Sequence, residues 1–231
     1  MSNPYEIRVG EAVSAMGRLL KDPEQTQEVF TIVRALSGKS ILRGHNRFTR
    51  TSMGKQIIDE QRNLLTVLND RDYLAGLPAG SLGRAYLEFV IANNITADGL
   101  VEASEVQADP IAAEYSLYGS RLRDSHDLWH VVTGYNTDTS GEDCLLGFTY
   151  AQTRNPGIAF IAITGGFKLF REGRRGIFKA LWEGFRAGRT AQWLPAADWE
   201  TLLTRPLHDV RESLNVTLPV SYPRLSLAAA V

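Results

Sequence analysis

Four side chains in the stretch RLRDSHDLWHVVTGYNTDTSGED, residues 121–143, have the types and spacing that cation chemistry needs. On an α-helix His126 and His130 are one turn apart and share a face, and Asp127 and His130 are i, i+3 neighbours, so three potential ligands fall within an arc of roughly 100°. Eleven residues separate His130 from Glu142. A helix ending near Gly134, a polar turn through Asn136, Asp138 and Ser140, and a second helix starting near Glu142 would return that carboxylate over the histidine face. Two neutral imidazoles with one or two carboxylates suit zinc, and iron or manganese also fit the donor set.

The same residues have plainer readings. A histidine pair at i, i+4 also arises by chance, as two solvated or hydrogen-bonded core histidines. Thr139-x-x-Glu142 matches a capping box, in which the glutamate returns to the N-cap backbone rather than to a metal. Against both stands Asp127, which begins an otherwise apolar helix (Leu128, Trp129, Val131, Val132) and would be a buried charge unless paired or metal-bound.

The elements that must position these groups read as helices. Asn3-Pro4, Asp22-Pro23, Asp109-Pro110 and Asn155-Pro156 each place a capping side chain before a proline at the first helical position. Expected helices run over about 4–20, from Asp22-Pro23 to a stop at Gly38, over about 52–68 (Met53, Ile57, Ile58, Leu64, Leu65, Leu68), and from a Ser81 cap to about Asn93. Asp109-Pro110 opens the helix leading into the central segment, where Tyr115 and Tyr118 are core. A helix continues from Glu142 to about Thr153. Residues 38–50 are basic and glycine-containing and read as a loop, with His45 a solvated side chain; His208 reads as surface.

The helix from Pro156 (Ile158, Phe160, Ile161, Ile163, Phe167) is apolar nearly all round, so it is buried or lines something greasy. After it, Lys168, Arg171, Arg174, Arg175, Lys179, Arg186 and Arg189 interleave with Phe170, Ile177, Phe178, Leu181, Trp182 and Phe185. That pattern fits an anionic membrane surface or a phosphorylated lipid, and equally the solvated face of an ordinary amphipathic helix.

Composition sets outer limits. A chain of 231 residues with 44% hydrophobic content supports one all-α, multi-helix domain over 1–215, with 216–231 an irregular tail. A net charge of −1 gives no bulk field for nucleic acid. The single cysteine, Cys144, excludes an intramolecular disulfide and reads as a small buried hydrophobe. The start carries Glu6 and Glu11 and reads as a helix rather than a targeting segment, and the longest uncharged stretch, 156–167, is short of the roughly 20 residues a membrane span needs. A cytoplasmic location with peripheral membrane contact is the expectation.

His126-Asp127-Leu128-Trp129-His130, followed after eleven residues by Glu142, resembles the H-D-x-x-H-x11-E signature of the ubiquinone (coenzyme Q) biosynthesis family named Coq-four. Val-x-Thr-Gly-Tyr over 131–135, Gly141, and Gly83-Arg84-x-Tyr86 add to the likeness, which is strongest over about 80–145. The resemblance implies an all-α, zinc-containing, often homodimeric protein with His126, Asp127, His130 and Glu142 as metal and catalytic residues. It further implies action on removal of the C1 carboxyl of a polyprenylated benzoate ring with hydroxylation there, as a metal-dependent decarboxylase of the lyase or oxidoreductase kind, and organisation of the other quinone-biosynthesis enzymes. On this reading Ile158 and Ile161 would meet a prenyl chain and Arg121 or Arg123 an acidic head group.

Two other classes fit parts of the pattern. A zincin-like hydrolase also uses H-x-x-x-H with a downstream glutamate, but keeps a glutamate where this chain has Asp127, one methylene shorter. A non-catalytic carrier or scaffold for isoprenoid lipid needs only the apolar helix.

Overall fold

A computed structural model describes residues 5–22, 25–96 and 115–228. The helices are α1 (Val9–Lys21), α2 (Thr26–Leu36), α3 (Ser40–Phe48), α4 (Ser52–Asp59), α5 (Leu64–Asn69), α6 (Arg71–Gly76), α7 (Leu82–Ala92) and α8 (Ser116–Asp124). They continue as α9 (His126–Thr133), α10 (Thr139–Thr153), α11 (Pro156–Arg171), α12 (Ile177–Thr190), α13 (Trp199–Leu202), α14 (Leu207–Ser213) and α15 (Tyr222–Ala228), with a 3₁₀ turn at Leu194–Ala196. No strand occurs among the described residues, so the fold is all-α.

The contacts group into two compact units. One comprises Met1–Ile41, Tyr135–Thr190 and Leu218–Val231, the other Leu42–Gly134 and Ala191–Thr217. The first unit has a core of Ala12, Ala15 and Met16 from α1, Ile32 and Ala35 from α2 and Ile161 from α11. Asn155 caps α11 by accepting from the Gly157 backbone N–H at 2.8 Å, as Asn-Pro predicts. Close approach of α10 and α12 depends on missing side chains. A Cβ at Gly184 would lie 2.6 Å from the Cys144 carbonyl oxygen, and one at Gly188 2.6 Å from that of Phe148. Gln152 seals the contact by donating to the Gly188 carbonyl at 2.6 Å. Cys144 is fully buried there, and burial pushes its thiol up. Asp143, also buried, is pushed up to about 8 by the same desolvation.

In the second unit α7 packs on α6, α9 and α14. Ser81 caps α7, accepting from Arg84 N–H, and Gly83 fits against Leu77 and the Leu203 carbonyl, as its place in the first turn suggests.

Four expectations change. Residues 38–50 are not a loop, because Ser40–Phe48 is helical and buries Phe48. His45 accordingly packs its ring 4.7 Å from that of Tyr115 instead of lying in solvent. The single helix over 52–68 breaks into α4 and α5, since Gln61 turns to φ 49° and Asn63 starts a new helix by accepting from Thr66 N–H. The tail after 215 contains α15, which buries Tyr222 and Leu225. The cap signals at Asn3-Pro4 and Asp109-Pro110, and Pro23 of Asp22-Pro23, lie outside the described residues; Gln25 occupies the N-cap position of α2. His208 is exposed beside Asp209, as read.

Replacing Gly184 by Ala should destabilise the protein by about 1–3 kcal/mol, because the methyl meets backbone that has little room to yield. Urea unfolding of G184A checks this; a midpoint equal to that of the parent would contradict the tight α10–α12 contact.

Candidate metal centre

Helix α9 carries both histidines because His126 opens it and four residues later His130 completes its first turn. The two Nε2 atoms lie 3.3 Å apart, with the rings nearly perpendicular at 87°. His130 is buried to 1% exposure and stacks on Phe89 of α7, ring centres 5.5 Å apart, which fixes its plane. The C-terminus of α9 is held twice. Gly134 adopts φ 77°, donating to the His130 carbonyl at 2.8 Å, and Arg211 of α14 donates at 2.9 Å to each of the Val131 and Val132 carbonyls.

Five residues on, α10 begins. Its N-cap is Asp138, whose Oδ1 accepts from Ser140 and Gly141 N–H at 3.1 and 3.2 Å, so the alternative of a capping box from Thr139 gives way to Asp138. The other Asp138 oxygen accepts from the Tyr222 hydroxyl, which in turn accepts from Asn136 N–H at 3.2 Å. Tyr222 also packs edge-on against Tyr135, ring centres 5.3 Å apart. Glu183 anchors the approach to α15 by accepting from Val220 and Ser221 N–H, both at 2.8 Å, and these bonds hold its carboxyl below the usual range against the opposing effect of burial.

Within the continuous stretch 126–142, one ligand atom each from His126, His130 and Glu142 lies within 4.8 Å of the others. Tetrahedral zinc with Zn–N of about 2.0–2.1 Å has a nitrogen–nitrogen edge of about 3.3–3.4 Å, so the imidazole pair already stands at that spacing. Two imidazoles and a carboxylate form the donor set of catalytic zinc sites. Asp127, buried on the same helix, is not one of the three. The helix explains this: Asp127 is displaced by about 100° from His126, whereas His130 is displaced by only about 40°.

The other expected site residues lie elsewhere. Arg121, 3% exposed, donates at 2.8 Å to both carboxylate oxygens of Glu200 and to the Ala197 carbonyl, so its guanidinium is committed to a structural pair. Arg123 pairs with its neighbour Asp124 at 2.8 Å. Ile161 belongs to the core of the first unit and Ile158 is buried too, while Ile163, Phe167 and Phe170 form the exposed face of α11. The sequence places Asp138 only in a polar turn and gives no bracing role to Phe89, Arg211 or Tyr222. Asp138 alone had a local signal there, as an aspartate three residues before a glycine at a helix start.

An all-α protein with a His-His-Glu cluster across a helix–turn–helix is thus the class that geometry defines. The family model described as "Coenzyme Q (ubiquinone) biosynthesis protein Coq4" matches residues 4–220, and the chain belongs to that family. Relatives include the mitochondrial ubiquinone biosynthesis protein COQ4 homologues of Danio rerio, 28% identical over 97% of this chain and 79% of the relative, and of Bos taurus, 27% identical over 90% and 77%. A crystal structure from Nostoc punctiforme superposes with TM-score 0.64 at 23% identity, covering 89% of this chain and 96% of that one, a likeness of fold.

Asp138→Ala should lower stability by about 1 kcal/mol through loss of the cap. Tyr222→Phe should cost about 1 kcal/mol through its hydroxyl. Measured as a double-mutant cycle by urea unfolding, the two losses should be less than additive, because they share one hydrogen bond. Strict additivity would dissociate Tyr222 from the turn preceding Glu142.

Proposed function

We propose that this protein acts in ubiquinone biosynthesis on a polyprenylated ring precursor, using a divalent cation, zinc by preference, held by His126, His130 and Glu142. The observation that carries the reading is the convergence of those three side chains in a member of the Coq4 family. Three protein ligands leave a tetrahedral shell one position short, the pattern of catalytic rather than structural zinc. This favours an enzyme over a scaffold.

The reaction we assign is loss of the ring C1 carboxyl as carbon dioxide with hydroxylation at that carbon, the hydroxyl oxygen coming from dioxygen as co-substrate and the second oxygen atom leaving as water with two electrons and two protons from an external reductant. A cation bound there would supply Lewis-acid polarisation of the departing substituent. The chain's own groups do the rest of the positioning. His126 and His130 present neutral nitrogens at a fixed spacing, and Phe89 keeps the His130 ring from turning. Asp127, buried beside His126, adds negative charge that favours a bound cation. Because Arg121 is engaged by Glu200, it serves to brace α8 rather than to receive substrate.

The prenyl tail is lipophilic, and each methylene removed from water contributes about 0.8 kcal/mol, so the protein must meet its substrate at a membrane. Among the described residues no helix is long and apolar enough to cross one. The contact we assign is peripheral, through Phe167, Phe170 and Phe178, which cluster with ring centres 5.1 and 6.0 Å apart, and Trp182, 60% exposed. Lys168, Arg171, Arg175 and Lys179 flank these rings in sequence and suit anionic headgroups. Association as a homodimer and with other quinone-biosynthesis enzymes belongs to the same proposal.

Metal analysis of purified protein should find about one zinc per chain, lost in His130→Ala, which should also abolish turnover of a carboxylated polyprenyl precursor. Full turnover by the variant would remove the metal from the mechanism. Separately, Phe167→Ser with Trp182→Ser should cut binding to anionic vesicles at least about tenfold while leaving bound metal unchanged; unaltered vesicle binding would place the membrane face elsewhere.

A further inference from the structure

The second unit holds a basic cleft that neither the metal nor the quinone chemistry uses. Helix α3 and the turn after it place Arg43, Arg47 and Arg50 at i, i+4 and i+7, on one face. With Asn46 and Thr51 they line an open cleft of about 440 Å³. Thr51 caps α4, accepting from Gly54 N–H at 2.9 Å, so the positive end of that helix also borders the cleft.

Two features set this cleft apart from a solvated basic face. The sequence has no acidic residue between Glu28 and Asp59, and among the described residues no carboxylate pairs with Arg43, Arg47 or Arg50. Elsewhere Arg18, Arg62, Arg121 and Arg123 each have an acidic partner, and Arg84, Arg174 and Arg211 donate to backbone carbonyls instead. Moreover, Arg47 is held in place, its guanidinium 4.3 Å from the centre of the Trp193 ring. Trp193 stacks on Tyr118 with ring centres 6.3 Å apart, and Tyr118 fits over Gly44, where a Cβ would meet the phenol oxygen at 2.2 Å. The floor beneath the arginines is therefore packed, with Tyr118 buried and Trp193 half-buried, while three like charges repel one another above it.

We infer that Arg43, Arg47 and Arg50, with Asn46, form a binding site for a polyvalent phosphate anion of the diphosphate class. Guanidinium forks match phosphate oxygens in pairs, and neighbours one helical turn apart are spaced for linked phosphoryl groups rather than for a single carboxylate. The ligand is either a soluble diphosphate ester or a phosphorylated lipid headgroup, which share this chemistry.

The test titrates inorganic pyrophosphate and orthophosphate into the full chain by calorimetry and by thermal shift, beside co-sedimentation with phosphatidylcholine vesicles with and without phosphatidic acid. Pyrophosphate should raise Tm and bind at least about tenfold more tightly than orthophosphate, and Arg43→Ala/Arg50→Ala should weaken it at least about tenfold. The ligand-free Tm of that double variant should be equal to or above that of the parent, since repulsion is relieved. If the double variant fails to fold, Arg43→Gln and Arg50→Gln singly give the same readout. Vesicle binding that needs phosphatidic acid and these arginines identifies a headgroup; pyrophosphate binding without it identifies a soluble ligand. Absence of a pyrophosphate response together with indifference to phosphatidic acid, or undiminished binding by the arginine variants, overturns the site. Neither outcome bears on the zinc content of His130→Ala, so this proposal and the quinone reading fail separately.

Discussion

Two imidazole nitrogens held 3.3 Å apart on a helix face are the constraint from which the rest of the site follows. If both rings present lone pairs inward they repel, so the arrangement is stable only with a proton or a cation shared between them. Helix geometry brings the rings together, but it does not stop them turning away. Stacking on Phe89 restrains one of them, and the carbonyl bonds from Arg211 tie down the end of their helix. Burial lowers the guanidinium of Arg211 from its ordinary pKa without discharging it, so the carbonyls it meets still face a full positive charge.

Much of this was readable along the chain because it is local. Histidine spacing, the glycine that closes α9 and the Asn-Pro start of α11 act within a few residues, and the structure has all three where the pattern puts them. The misread elements owe their form to distant partners. Gly44 and the basic composition of 38–50 read as a loop, yet the helix there forms around Tyr118, some seventy positions later in the sequence, and glycine is what that ring requires. The tail reads as irregular because its anchors, Glu183 and Asp138, give no local sign of it. Arg121 shows the same reach, since the glutamate it pairs with is 79 residues away.

Helix α11 shows how a sequence that is apolar all round can serve two environments. One face enters the core through Ile158, Ile161, Ala162 and Leu169, while Ile163, Phe167 and Phe170 remain outside. Periodicity cannot separate these faces when both are greasy. The division comes from glycines: Gly157 lies against the backbone of α2, and Gly165 lies beneath the Asp143 carboxyl, so the side that can approach its neighbours is the side without bulk.

The contact between Tyr222 and the turn before Glu142 joins residues 84 positions apart. During translation the histidines and the glutamate leave the ribosome long before their brace exists. A nascent chain that has reached α12 holds every donor atom in the cluster but lacks the hydroxyl that locks the turn. Locking of that turn therefore waits until residue 222 has been made, and a product ending short of it would carry the motif without its clasp.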